Sequence, residues 1–81
     1  MNVELTLING DKVLFYATPI LDRYTVKDLE CYIKNTQYFI DNGSEDFYGK
    51  KIPFSEKAIE FFNSRIKEFK KAINERLNNA Y

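Results

Sequence analysis

A small α+β domain is what these 81 residues predict: an N-terminal β-hairpin packed on two antiparallel helices, the C-terminal one long. Three observations carry that expectation. Apolar and polar residues alternate from Val3 to Leu7, which is the period of a strand. Apolar residues then recur at steps of three and four, first from Val26 to Ile40 and again from Ile59 to Leu77, which is the period of a helix. Asn9-Gly10, Asn42-Gly43 and Pro53 punctuate the runs. No repeat, low-complexity tract or linker divides the chain, so residues 1–81 read as one domain.

Val3, Leu5 and Leu7 alternate with Glu4 and Thr6, as one face of a half-buried strand requires. Asn9-Gly10 is a hairpin signal, because both residues accept the backbone angles that suit strand twist. The return strand is expected over 12–18. A two-residue loop would set Leu7 opposite Lys12, whereas a bulged three-residue loop aligns Val13 and Phe15 with Val3, Leu5 and Leu7. The second register buries one consistent face and is preferred. Pro19 ends the strand, and residues 20–24 connect onward, contributing Ile20 or Leu21 to the core.

Thr25 and Asp28 have the spacing of a capping box, and Tyr24 is placed to staple onto Leu29. On a helix, Val26, Leu29, Tyr32, Ile33, Thr36, Phe39 and Ile40 share one face; Lys27, Cys31, Lys34, Asn35 and Tyr38 share the other. Asn42-Gly43 stops it. Residues 43–54 are the least regular, and a third, edge strand over 47–52 is left open.

The last helix is expected over 55–79. Ser55 is its N-cap, Phe54 a staple onto Ile59, and Glu56 and Glu60 suit the positive end of the dipole, as Lys70, Lys71 and Arg76 suit the negative end. Its stripe is Ile59, Phe62, Ile66, Phe69, Ile73 and Leu77. At 1.5 Å per residue it would run roughly 37 Å against a breadth of ~25 Å for a compact chain of this size, so it spans the domain or projects from it. The stripe is best read as the core face opposite the first helix. A coiled-coil seam that would make a homodimer is the alternative.

Composition narrows the function more than it names it. There is no histidine and a single cysteine, Cys31, so no intramolecular disulfide and no Cys/His metal cluster is expected. No phosphate loop, nucleophile elbow or acidic metal motif is present, and a carboxylate-only mechanism would have to gather Asp22, Asp28, Asp41, Glu45 and Asp46. The expectation is no enzyme, no catalytic residue, no metal and no cofactor. Twelve basic and twelve acidic residues cancel, which speaks against a general electrostatic grip on nucleic acid or an anionic membrane. Residues 1–54 hold six basic and eight acidic groups, a net of −2, and 55–81 hold six and four, a net of +2. No apolar run is long enough to span a bilayer and the N-terminus lacks a signal-peptide pattern, so a cytoplasmic protein without membrane association is expected.

Seven Phe and six Tyr in so short a chain are hard to bury together. Tyr38 on the outer face of the first helix, Tyr48 in the irregular stretch, and Phe61 with Arg65 one turn later are the candidate contacts with another protein. Lys67, Lys70, Lys71 and Asn74 on the last helix are the candidate nucleic-acid face, although Glu60, Glu68 and Glu75 share that half, and Glu68 with Lys71 or Lys71 with Glu75 has the spacing of an ordinary surface pair. Residues with AT-rich codons (Phe, Tyr, Met, Ile, Asn, Lys) number 39, which points to a low-GC bacterium or its phage. The preferred reading is a non-enzymatic protein-binding module, such as a phage or mobile-element inhibitor of a host defence system. A nucleic-acid-binding accessory protein comes second, and a self-associating structural protein third.

Overall fold

A computed structural model describes residues 2–16 and 23–78. The chain runs β1 (Asn2–Thr6), β2 (Lys12–Tyr16), α1 (Val26–Asn42), β3 (Ser44–Glu45), β4 (Lys51–Ile52) and α2 (Glu56–Asn78). This is the expected α+β order. The hairpin takes the bulged register: Val3 pairs with Phe15 and Leu5 with Val13. Its loop is closed by the Gly10 N–H donating to the Leu7 carbonyl at 3.0 Å and the Leu7 N–H to the Asp11 carbonyl at 2.8 Å. Gly10 alone carries the positive φ, +95°, as the bulge demands, and the Asn9 side chain accepts from the Asp11 N–H. Leu5, Leu7, Val13 and Phe15 therefore face inward while Glu4, Lys12 and Leu14 face solvent.

Of the third strand left open over 47–52, only Lys51–Ile52 is strand. Residues 47–50 form a turn between the two-residue strands β3 and β4, which pair only with each other. The hairpin is instead extended just before α2. Leu7 bridges Phe54, the Ile8 N–H donates to the Pro53 carbonyl, and the Ser55 N–H donates to the Thr6 carbonyl. That pairing buries Phe54 and delivers Ser55 to the helix start, where its hydroxyl accepts from the Ala58 N–H and its carbonyl from the Ile59 N–H.

At the start of α1, Thr25 and Asp28 form the capping box reciprocally, each bond at 3.1 Å. The helix ends at Gly43, whose φ of +74° and ψ of −153° are open to glycine alone. Phe39 stacks on Phe62, and Tyr32, seven residues earlier, stacks on Phe69, seven residues later. The helices are therefore antiparallel. Phe15 meets Phe39, Phe54 and Phe62 edge-on at 5.2, 5.9 and 5.2 Å, joining the hairpin to both helices. Leu5, Leu7, Phe54, Ala58 and Phe62 form the main core, and Leu29, Ile66 and Phe69 are buried further along the helix pair.

The α2 stripe is thus core, with one exception. The pairing of Tyr32 with Phe69 sets Val26, the first residue of α1, near Glu75, so Leu77 lies past the end of its partner helix and is 52% exposed. The expected roles of Thr18, Pro19, Ile20 and Leu21 lie outside the described residues, as does Asn79. Tyr24, expected to staple onto Leu29, brings its ring to 4.8 Å from Tyr32. The molecule measures 49 × 21 × 19 Å. Among the described residues no helix is long and apolar enough to cross a membrane.

Candidate functional site

Asp46 builds the most exposed feature. It follows β3 immediately, and its carboxylate accepts the N–H groups of Tyr48 and Lys50, both at 2.8 Å. Its own N–H donates to the Lys50 carbonyl, and its carbonyl accepts from the Gly49 N–H. Gly49, at φ +80°, completes the reversal. Four hydrogen bonds hold a five-residue excursion, and the side chains at its apex have nothing to fold back on. Phe47 is 95% exposed and Tyr48 89%, their rings edge-on to each other at 5.5 Å.

Tyr38 stands beside this unit. Its ring is 49% exposed on α1, and Lys51 of β4 both donates to its hydroxyl at 2.9 Å and lies 5.1 Å from its ring centre. The hydrogen bond to Tyr38 is the main cause that raises the Lys51 pKa above its ordinary 10.5, with a small contribution from Glu45. Lys51 thereby ties the β3–β4 hairpin to the last turns of α1, and Tyr38 and Tyr48 belong to one end of the molecule.

Phe61 and Arg65 are also brought together, but not on an outer edge. Phe61 is half-buried against the main core, 6.0 Å from Phe62. Arg65 is only 9% exposed, with its guanidinium 5.1 Å from the Phe61 ring and 3.3 Å from the Glu68 carboxylate. Both line a cleft of about 440 Å³ between the helices, walled by Phe15, Tyr24, Tyr32 and Phe39, with the exposed Asn35 at its margin. The position on a helical wheel misplaced these two residues because Phe15 at the end of β2 and the flank of α1 face part of the α2 circumference that the wheel leaves open.

Lys67, Lys70, Lys71 and Asn74 are all exposed. The surface pairs expected of Lys71 with Glu68 or Glu75 do not form among the described residues: Glu68 turns to Arg65, while Lys12 with Glu4 is a surface pair elsewhere. Asp28 is engaged in the capping box, Asp41 accepts from Gln37, and Asp46 holds the turn. Asp22 lies outside the described residues. Among the described residues no group of three or more His, Cys, Asp or Glu is placed to hold a metal ion, and Cys31 is an exposed free thiol.

Phe47 is the residue that the sequence reading passed over. Its signal was the same as that of Tyr48: a large ring between an acidic start and a glycine, in a stretch with neither helical nor strand period. No protein-family model, curated protein or solved structure matches the chain.

Proposed function

We propose that the protein is a non-enzymatic protein-binding module whose contact surface is built on Phe47, Tyr48 and Tyr38, with the cleft of Phe61 and Arg65 as a second aromatic surface. The observation that carries this reading is the pinned turn. Burying a Phe side chain stabilises by roughly 1.5–3 kcal/mol, which folding forgoes at Phe47. A turn already fixed by its own hydrogen bonds loses little entropy on docking, so a partner that covers both rings gains most of that burial. Tyr and Phe on a rigid support are typical anchors of protein interfaces. The codon bias of the composition fits a phage or mobile element of a low-GC bacterium, and a small neutral protein of that origin acts by covering a surface of a host protein, such as a component of a defence system, in the cytoplasm. No metal, cofactor or catalysis enters this function.

The competing reading, a nucleic-acid-binding accessory protein, is favoured by one observation: Lys67, Lys70 and Lys71 are exposed and unpaired among the described residues. Capture from a low-GC host lysate, with and without nuclease, separates the two. Protein-dependent capture that survives nuclease and is lost on Phe47→Ala with Tyr48→Ala supports the first reading. Capture that nuclease abolishes, with loss on reversing the three lysines to Glu, would establish the second.

A further inference from the structure

The chain holds two Asn-Gly pairs, Asn9-Gly10 at the tip of the first hairpin and Asn42-Gly43 at the end of α1, and their surroundings are opposite. An Asn-Gly pair is open to self-cyclisation, because glycine has no side chain to hinder attack of its amide nitrogen on the preceding side chain. At the hairpin tip the Asn9 Oδ1 accepts from the Asp11 N–H at 2.9 Å, and its Nδ2 donates to the Asp11 carboxylate at 3.0 Å. The first of these bonds makes an Asx turn, which folds the side chain over the Gly10 peptide. The ring it closes contains Cα, Cβ, Cγ and the carbonyl carbon of Asn9 together with the nitrogen of Gly10, the atoms of a succinimide. Asn42 points the other way, its Nδ2 donating to the Tyr38 carbonyl one turn back. Both glycine N–H groups are held, Gly10 by the Leu7 carbonyl and Gly43 by the Phe39 carbonyl. Gly43, however, is buried against the backbone of Ile52 and Pro53, whereas residues 8–11 are all exposed, and a bond at an exposed loop tip opens at low free-energy cost.

We propose that Asn9 is a self-modification site, converted without an enzyme to isoaspartate and aspartate, and that isoaspartate there unlatches the first hairpin. The Gly10 nitrogen gives its proton to hydroxide and its electron pair to the Asn9 Cγ. The Cγ–Nδ2 bond breaks, and the nitrogen leaves as ammonia with a proton from water. Water then opens the succinimide at either carbonyl and returns a proton to the Gly10 nitrogen. Breaking its bond to Cγ yields aspartate; breaking its bond to the Asn9 carbonyl carbon yields isoaspartate, with the chain running through Cγ. Net, one water enters and one ammonia leaves, with no oxidant or reductant. Either product sets a carboxylate where Nδ2 donated to Asp11, so a hydrogen bond becomes a contact between like charges. Isoaspartate also adds a methylene to the backbone inside the loop that Leu7, Gly10 and Asp11 close. That loop sets the register of the strand carrying the buried Leu5 and Leu7, so its distortion reaches the core. The folded protein thus carries a clock that lowers its own stability with age, whatever partner it binds.

Ageing of the full chain in heavy-oxygen water at mildly alkaline pH, followed by peptide mapping, tests it, because succinimide hydrolysis leaves a heavy oxygen at the converted position. In the folded protein, label is expected roughly tenfold or more faster at Asn9 than at Asn42, and at comparable rates in the urea-unfolded chain, where neither pair is held. Asn9→Ser keeps a side-chain acceptor for the Asp11 N–H but has no Cγ carbonyl, so it should fold, take up no label at that position and keep its melting temperature on ageing. The isoaspartate fraction of aged wild type should melt lower and exchange its Leu7 and Gly10 amides faster. Folded protein that labels Asn9 no faster than Asn42, or leaves it unlabelled while the unfolded chain reacts, would overturn the site. An isoaspartate fraction with unchanged melting and exchange, or an Asn9→Ser variant that ages like the wild type, would overturn its effect on the hairpin.

Discussion

Two glycines show how much a single position depends on its neighbours. At Gly43 a Cβ would overlap the Ile52 carbonyl and lie 2.9 Å from the Pro53 Cα, both backbone atoms that cannot turn away. At Gly49 it would meet nothing within 4 Å, leaving only the cost of positive φ. Gly43→Ala should therefore lower unfolding free energy by about 3 kcal/mol or more, and Gly49→Ala by about 1–2 kcal/mol, as read from urea midpoints at constant slope. Equal losses would mean that β4 moves aside. Phe61 follows the same logic: half-buried against the core, it should cost about 1–3 kcal/mol of stability on truncation to Ala, whereas Phe47→Ala should leave the midpoint within about 0.5 kcal/mol.

Among the elements, α2 depends on burial and α1 on its ends. Ile66 and Phe69 are buried along α2, so Ile66→Ala or Phe69→Ala should cost about 2–5 kcal/mol, independent of protein concentration. A seam between copies would instead show an unchanged midpoint at low concentration and a lost dimer. Only Leu29 is fully buried on α1, so its capping box carries a larger share, and Thr25→Ala should cost about 1 kcal/mol. The β3–β4 hairpin is tied to α1 by Lys51 on Tyr38. Because the Lys51 pKa is raised by folding, the stability it contributes is present below its unfolded value and is lost as pH rises through the folded one. Tyr38→Phe keeps the ring and removes the hydroxyl. The stability gap between wild type and this variant should be constant below pH 10.5 and close above it. A gap that persists above that range would show that the Tyr38 hydroxyl acts through something other than the Lys51 charge.

As a whole the molecule is a rod, with the exposed rings of the 46–50 turn at one end and the exposed lysines of α2 along one flank. Its radius of gyration of 14.2 Å exceeds the ~12 Å of a compact chain of this length, because the ~34 Å helix α2 is covered on one side by a shorter helix and at one end by a hairpin. Partner binding should track the turn end: Tyr38→Ala, Phe47→Ala or Tyr48→Ala should each weaken it by about 1 kcal/mol or more without unfolding, while reversing Lys67, Lys70 and Lys71 should matter much less. Titration calorimetry with the captured partner at two salt concentrations decides. Binding that tolerates the aromatic changes and collapses with salt would transfer the function to the basic flank of α2.

The local code was legible because it is local. Strand alternation, the three-four stripe, the Thr25 and Asp28 cap, and the hairpin bulge are each written within a few residues, and binary patterning with turn chemistry suffices to place them. The exposure of Tyr38 and Tyr48 was legible for the same reason: one sits opposite an apolar face and the other in a stretch without any period. The environment of Phe61 and Arg65 was not, since a helical wheel knows only its own axis, and these residues are covered by the end of β2 and by α1, contributed from elsewhere in the chain. Likewise the strand left open over 47–52 is reduced to Lys51–Ile52, because Asp46 captures the amides of Tyr48 and Lys50, and the first hairpin is extended instead by a single bridge from Leu7 to Phe54. Sequence by itself determined the two helices, the first hairpin and the exposure of Tyr38 and Tyr48. Tertiary structure alone decided which rings meet, where the cleft opens and how the turn is held, since those depend on contacts between residues far apart in the chain.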